Sequence, residues 1–344
     1  RYRRSVGEMF GRDITAIFTD EPKYFGQKPW TPGMFDDFAR RRGYDLRSNL
    51  HHLFSKAVTP AAIRTRIDYR EWCGRRFEEA WLAPVAAWCH GHDLKLVGHI
   101  SPEDDPVEQA NTISNLFPLQ KHFDLCGIDL IIPAVGDRRH PLLNLGVITA
   151  ASVAQQCGKA GVMSESLGCS GNSFTAAKAV PILNWQTVMG MTTPVIHGAF
   201  SSVKGNRLIE APPDFGPFSP RWTDMVRFTR HLPGVHAILV GARQIAPVAI
   251  LWPIRSFQAD PTAWQADAGG LRGALTDLVL KCLEAQVGIH FVDEADLQAA
   301  RISHKTFAVG KATYSHLVIP DCLILHARTL AAIQRARRHG VRVM

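Results

Sequence analysis

The chain has 344 residues, of which 46% are hydrophobic and 20% are charged. This balance is typical of a globular protein with a large buried core and excludes disorder over most of the length. No window of about eighteen residues is both apolar and uncharged, so the sequence predicts no transmembrane helix and no membrane partner. The chain starts at Arg1 without the pattern of a signal peptide. We therefore expect it to start inside a longer protein, which would be periplasmic or secreted if the preceding part carries an export signal.

The net charge is +8, from 39 Lys and Arg against 31 Asp and Glu, which raises the question of nucleic-acid binding. The basic residues come in short runs such as 40–42 and 335–338. Such runs lie within helical patterns, where cations suit exposed faces and helix C-termini. We therefore expect no nucleic-acid partner.

The seven cysteines include no C-x-x-C pair, which predicts buried thiols rather than disulfides or a zinc site.

Five short apolar segments predict the strands of a parallel α/β sheet, because each is followed by a polar turn and a helical pattern. They lie at 13–19, 94–99, 128–132, 161–165 and 194–199. Helix-start signals lie between or after them, at Thr59-Pro60, Asp105-Pro106 and Ser219-Pro220. The long helical stretch 60–91 contains Pro84, which predicts a kink or a break.

A second α/β pattern begins near residue 233. Its predicted strands and helices lie at 247–252, 287–292, 315–319 and 341–344, and near 269–285 and 325–339. A (β/α)8 TIM-type barrel takes about 250 residues and eight strands, so we expect residues 1–235 to form the last five strands of such a barrel. Residues 236–344 are expected to form an incomplete flavodoxin-like doubly wound accessory domain. This part is similar to the glutamine-amidotransferase fold but has no nucleophile elbow around Cys322.

Polar residues follow or end the five predicted barrel strands, where such barrels place their catalytic groups. In chain order they are Asp20-Glu21-Pro22, His99, Asp137-Arg138 after Pro133, Glu165, and His197. Carboxylates and imidazoles at the end of an apolar strand need a partner or water, and a shared polar cavity supplies both. We therefore predict one polar cleft at this edge.

Two of these residues, Glu21 and Glu165, fit the hydrolysis of a glycosidic bond. That reaction needs one acid for the leaving oxygen and one carboxylate that attacks or activates water. A turn residue and a surface loop acid are the alternatives for these two glutamates. Asp20 is interpreted as a neighbour that orients Glu21 or tunes its pKa.

The two histidines, His99 and His197, are candidates for substrate contact, with a hydrogen-bonded core histidine as the alternative. The acidic run Glu103-Asp104-Asp105 could bind a hard cation through oxygen atoms. A solvated loop followed by a helix cap is the other interpretation of that run. No P-loop or dinucleotide-binding glycine pattern is present, which argues against nucleotide chemistry.

Several of these motifs resemble, in order, the large α-L-rhamnosidase family of glycoside hydrolases (family 106). They are Phe18-Thr-Asp-Glu-Pro22, Gly43-Tyr-Asp-Leu46, Asp68-Tyr69, Gly98-His99, Glu165-Ser-Leu-Gly168, Ala249-Ile-Leu-Trp-Pro253 and Leu317-Val-Ile-Pro320. The resemblance implies a multidomain enzyme with a (β/α)8 barrel that cleaves terminal α-L-rhamnosyl linkages in rhamnose-containing glycans by inversion. It also implies a calcium ion near the sugar, although the chemistry itself requires no cofactor. Similar barrels imply Glu21 as the general acid and Glu165 as the general base.

Two other functions stay open at this point. A metal-dependent barrel hydrolase would use His99, His197 and carboxylates as ligands. A non-catalytic relative would keep the mouth of the barrel for carbohydrate recognition. The sequence fixes neither the metal ligands nor an oligomeric state, and the presence of both glutamates favours catalysis.

Overall fold

The structure is a computed structural model that describes residues 1–24, 26, 28–131, 135, 144–209, 211–239, 241–259 and 270–344. Helices and strands alternate along most of the chain, as the sequence predicts. The helices are α1 Tyr2–Val6, α2 Met34–Arg42, α3 His51–Phe54, α4 Pro60–Phe77, α5 Ala83–His90, α6 Pro106–Thr112, α7 Leu116–Gln120, α8 Gly146–Cys157, α9 Ala176–Val188, α10 Trp222–Leu239, α11 Ile254–Ala259, α12 Leu271–Glu284, α13 Glu294–Gln298 and α14 Ala327–Arg338. Within the described ranges, no helix is long and apolar enough to cross a lipid bilayer.

The strands are mostly short and parallel. They are β1 Ala16–Thr19, β2 Lys95–Gly98, β3 Cys126–Leu130, β4 Val162–Ser166, β5 Thr193–Ile196, β6 Val248–Leu251, β7 Ile289–Val292, β8 Arg301–Ser303, β9 Thr306–Val309, β10 Ala312–Tyr314, β11 His316–Val318 and β12 Arg342–Val343. Each of the nine predicted strand segments overlaps one of these strands, with bounds shifted by no more than three residues. The chain is therefore a mixed α/β protein with parallel sheets.

The first five strands neighbour each other in chain order. Strand β1 pairs with β2, and β3, β4 and β5 form a three-stranded sheet, all in parallel. A single parallel bridge between Val97 and Leu125 links the two groups. Strand β5 ends at Ile196, so His197 follows this strand, whereas the sequence predicts it inside a strand extending to residue 199.

Two glycines allow the backbones of β1, β2 and β3 to approach closely. Gly98 has a φ of +124°, and a Cβ there would overlap the carbonyl oxygen of Thr19. A Cβ on Gly127 would in turn overlap the carbonyl oxygen of Gly98. Only glycine fits such positions, and the contact sets the position of the residue that follows, His99.

The predicted helix starts at Thr59 and Asp105 are confirmed. The Thr59 hydroxyl accepts a hydrogen bond from Ala62 N at 3.2 Å, and Asp105 Oδ1 accepts from Val107 N at 2.8 Å. The predicted disturbance at Pro84 takes the form of a π turn over Glu78–Leu82. Proline lacks the N–H that would continue the α-helical pattern there.

The second parallel sheet has the order β12-β11-β6-β7. A three-stranded antiparallel sheet of β8, β9 and β10 follows β7 in the chain, and the sequence did not predict it. Its strands are three or four residues long and are joined by tight turns, with Lys305 at a φ of +60° and Gly310 at +54°. Strands this short are hard to recognise by periodicity.

One hydrophobic core runs through both parts of the chain. It includes Ile128 and Val147 from the first part and Ile250 and Phe291 from the second. Helix α8 forms the contact with β7: Ser152 Oγ accepts a hydrogen bond from Phe291 N at 2.8 Å. The expected boundary at residue 235 falls inside α10, which is a continuous helix.

Candidate active site

The fully buried imidazole of His99 lies at the centre of the candidate site. Its Nε2 is 3.0 Å from Glu165 Oε2 and 3.6 Å from Asp20 Oδ1. On the other side of Glu165, Oε1 is 4.0 Å from His197 Nε2. The structure thus brings together Asp20, His99, Glu165 and His197, four of the five residues to which the sequence assigns a part in catalysis or substrate contact.

Parallel strands deliver these side chains to one edge of the sheet. Thr19 and Gly98 are paired at the ends of β1 and β2, so the next residues, Asp20 and His99, are neighbours. The backbone N–H of His99 donates to Thr19 O at 3.2 Å. His197 is fixed in the same way, since its N–H donates to Ser166 O at 3.0 Å.

The fifth predicted residue, Glu21, follows Asp20 and is partly exposed. Its backbone has a φ of +45°, a left-handed conformation that is uncommon for glutamate and is often found at functional sites. Its negative charge contributes to raising the pKa of Asp129. Glu21 therefore lies within electrostatic reach of the same cluster.

The electrostatics of the site favour a protonated His99. Burial lowers its pKa, but the hydrogen bond that the ring donates to Glu165, the close approach of Glu103 and the charges of Glu103 and Asp129 outweigh burial and raise it to about 10. Behind the ring, Glu103 Oε1 lies 3.5 Å from His99 Nδ1. The imidazolium is thus held between two carboxyl groups.

The same contact acts on the two carboxyl groups in different ways. The hydrogen bond from His99 lowers the pKa of Glu165 in spite of partial burial. For Glu103, complete burial dominates and raises the pKa to about 7, although His99 opposes the shift. Glu165 is consequently ionised at neutral pH.

Two residues of the site, Asp129 and Glu103, have roles that sequence reasoning missed. Asp129 lies in β3, directly across from Glu165 in β4. Burial raises its pKa to about 8, His99 opposes this, and the charges of Glu103, Glu165 and Glu21 add to it. A carboxyl group inside the otherwise apolar segment Cys126–Leu130 is a signal that could have identified Asp129.

The acidic run 103–105 does not converge on one point. Glu103 faces His99, whereas Asp104 Oδ2 lies 3.5 Å from the Asn144 side-chain nitrogen. Asp105 caps α6 and forms an ion pair with Arg272 at 2.5 Å. The interpretation of this run as a loop and helix cap describes Asp105, and the run forms no common cation site.

The side chains gathered at this edge do not fit the calcium ion that the resemblance implies. Among the described His, Cys, Asp and Glu side chains, one group offers three ligand atoms within 4.8 Å of one another: Asp20, His99 and Glu165. Calcium takes six to eight oxygen ligands, whereas this group contains a nitrogen that already bonds Glu165. The predicted site residues Asp137 and Arg138 lie outside the described residues.

A family model described as alpha-L-rhamnosidase matches residues 1–215. No curated protein gives a significant match to the sequence. Among solved structures, a rhamnosidase from Novosphingobium sp. PP1Y superimposes with a TM-score of 0.71 at 19% identity, covering 99% of this chain and 32% of that one. The chain thus spans about a third of the length of that rhamnosidase.

Two β-galactosidases also share the fold. One, of family GH42 from G. stearothermophilus, gives a TM-score of 0.63 at 14% identity, with 97% of this chain and 52% of that one covered. The other, from Halorubrum lacusprofundi, gives 0.63 at 14% identity, with coverages of 97% and 53%. At these identities the likeness concerns the fold alone.

Proposed function

Because the chain belongs to the α-L-rhamnosidase family of glycoside hydrolases, we propose that the site around His99 hydrolyses terminal α-L-rhamnosyl linkages of glycans in the full-length enzyme. The observation that carries this proposal is the pairing of Glu165 Oε2 with the buried imidazole of His99 at 3.0 Å. Such a partner keeps a carboxylate ionised and fixed in orientation. A carboxylate in that state suits the activation of a water molecule.

In the proposed mechanism Glu165 is the general base and Glu21 the general acid. Glu165 takes a proton from water while the water oxygen bonds to the anomeric carbon. The bond from that carbon to the leaving oxygen breaks, and Glu21 gives its proton to this oxygen. Both proton transfers use carboxyl groups of the chain, so the chemistry needs no cofactor.

Inversion follows if water fits between the carboxyl group of Glu165 and the sugar. We expect the carboxyl groups of Glu21 and Glu165 to lie roughly 6.5–9.5 Å apart in the substrate complex, as inverting enzymes require. Asp20, His99 and His197 surround Glu165 and are proposed to contact the substrate or to orient Glu165. The exposed carboxyl of Asp20 is the member of this group best placed to accept a hydrogen bond from a sugar hydroxyl.

The architecture that we propose for this activity is a (β/α)8 barrel of which β1 to β5 are the last five strands. Their parallel pairing in chain order supports it, as does the fold shared with the GH42 β-galactosidase. The order β12-β11-β6-β7 is similar to the 2-1-3-4 order of flavodoxin-like sheets. We propose that the residues that follow α10 form such an accessory domain.

The test is kinetic and uses the full-length enzyme. Glu21→Gln and Glu165→Gln should each lower kcat on an α-L-rhamnosyl disaccharide by at least about a hundredfold, the scale for loss of a positioned acid or base. An aryl rhamnoside, whose leaving group needs little protonation, should restore activity to Glu21→Gln but not to Glu165→Gln. Glu108→Gln, a change at a helix-start glutamate outside the site cluster, is the matched control. Near-normal turnover of the disaccharide by either variant would refute the role given to that residue.

A further inference from the structure

The segment 99–105 carries two members of the site, His99 and Glu103, and leads into α6. It contains no helix or strand, so side-chain contacts must hold it in place. Gln109 of α6 donates to Glu103 O at 2.8 Å, and Lys23 Nζ lies 3.2 Å from Ser101 Oγ. Both of these contacts come from the first part of the chain.

A third contact comes from the second part of the chain. Arg272, in the first turn of α12, places Nη1 2.5 Å from Asp105 Oδ2. The other carboxylate oxygen of Asp105 accepts hydrogen bonds from Val107 N at 2.8 Å and Glu108 N at 3.3 Å. Asp105 thus uses one oxygen to cap α6 and the other to bind Arg272.

From this geometry we infer that Arg272 is a positioning residue for the active site, acting through Asp105 and the segment 99–105. The effect on catalysis rests on the proposed function. Asp105 is two residues from Glu103, whose Oε1 is already 3.5 Å from His99 Nδ1. A small displacement of the segment therefore removes that contact and loosens His99, the partner of Glu165.

Such a role predicts an effect on kcat rather than on KM. Glu165 acts on the attacking water, so its misalignment slows the chemical step, while the sugar contacts from other loops stay in place. A displacement of about 1 Å costs up to about a hundredfold in rate. Because the other contacts still hold the segment, we expect Arg272→Gln to lower kcat about tenfold and to change KM less than about twofold.

The experiment is a double-mutant cycle in the full-length enzyme. Asp105→Asn is the matched partner of Arg272→Gln, because asparagine caps a helix as well as aspartate does but offers Arg272 no carboxylate. If the two residues act as a pair, each single variant and the double variant should show the same loss of kcat within about twofold. Arg272→Lys, which keeps the charge, should recover at least about a third of the activity.

Lys281→Gln is the control on the same helix, since Lys281 pairs with Asp277 on the surface at 2.5 Å. It should leave kcat unchanged, and all variants should melt within about 2 °C of wild type, because partly exposed pairs contribute little to stability. A wild-type kcat for Arg272→Gln would overturn the inference. Losses of kcat that multiply in the double variant would also overturn the inference, because they would mean that Arg272 and Asp105 act independently.

Hydrogen–deuterium exchange separates this inference from the proposed function. Arg272→Gln should speed amide exchange at least about threefold in peptides covering 101–109, as expected for a loosened segment, and Lys281→Gln should not. If the wild-type enzyme hydrolyses no rhamnoside, the proposed function fails, and the exchange result alone decides whether Arg272 holds the segment. Unchanged amide exchange in Arg272→Gln would show that Arg272 does not hold the segment in place.

Discussion

Replacing Asp129 by asparagine should make the protein more stable at alkaline pH. Its pKa is raised from 3.8 to about 8, and its Oδ1 is buried without a hydrogen-bond partner. Since the folded state holds the proton more tightly than the unfolded state, stability is greatest at low pH and falls as pH rises from about 4 to about 8. Asparagine resembles the protonated carboxyl and does not titrate, so the variant avoids this loss.

The size of the effect follows from the two pKa values. At about 1.4 kcal/mol per pH unit, the advantage of Asp129→Asn can grow by at most about 4 kcal/mol between pH 5 and pH 8. His99, Glu103 and Glu165 respond to the charge on Asp129, so we expect about half of this. For a protein of this size, about 2 kcal/mol corresponds to a difference of about 3 °C in melting temperature.

The assay is thermal unfolding of wild type and Asp129→Asn at several pH values from 5 to 8.5. Asp13→Asn, which removes an exposed carboxylate, controls for the change in net charge. The difference between Asp129→Asn and wild type should rise with pH, whereas that of Asp13→Asn should stay nearly constant. A difference that is flat, or that favours wild type more strongly as pH rises, would show that Asp129 is ionised in the folded protein.

Three further outcomes are expected. His99→Gln should move the acid limb of the kcat/KM profile to higher pH, because the hydrogen bond that lowers the pKa of Glu165 is lost. An unchanged acid limb would show that His99 does not control the pKa of the catalytic base. Thr59→Ala should lower the free energy of unfolding by about 1 kcal/mol in urea titrations, the usual cost of losing a helix cap. A cost near zero would mean that the first turn of α4 is already frayed in the wild-type protein. Gly127→Ala should prevent soluble expression or lower the melting temperature by more than 10 °C, roughly the effect of several kcal/mol. The reason is that the new Cβ would overlap the carbonyl oxygen of Gly98. A normal melting curve would contradict the close approach of β2 and β3.

The strand positions could be predicted because each strand is an apolar run between polar turns. The residues after β1, β2 and β5, and Glu165 near the end of β4, could be assigned to one edge for the same reason: parallel strands end together. The partners of these residues could not be predicted. Which carboxyl group faces each nitrogen of His99 depends on register and on the path of the segment 99–105, and neither leaves a periodic signal in the sequence.

Glu103 shows why the acidic run was harder to interpret. Three consecutive acids look alike in sequence, but the loop turns Glu103 inward to His99 and Asp105 outward to Arg272. Asp129 escapes sequence reasoning for the opposite reason, since a single aspartate inside an apolar run does not interrupt the pattern of a strand. Its place across from Glu165 becomes visible only when strands are paired.

The continuous core has a consequence for any attempt to divide this chain. Since Ile128 and Val147 pack in the same interior as Ile250 and Phe291, the two parts should melt in one cooperative transition. A protein cut after residue 235 would expose one side of that interior, including the face of α8 that covers β7. Inactivity of such a truncated protein would therefore report the collapse of the scaffold beneath Glu165, and would be no sign that the removed residues touch the sugar.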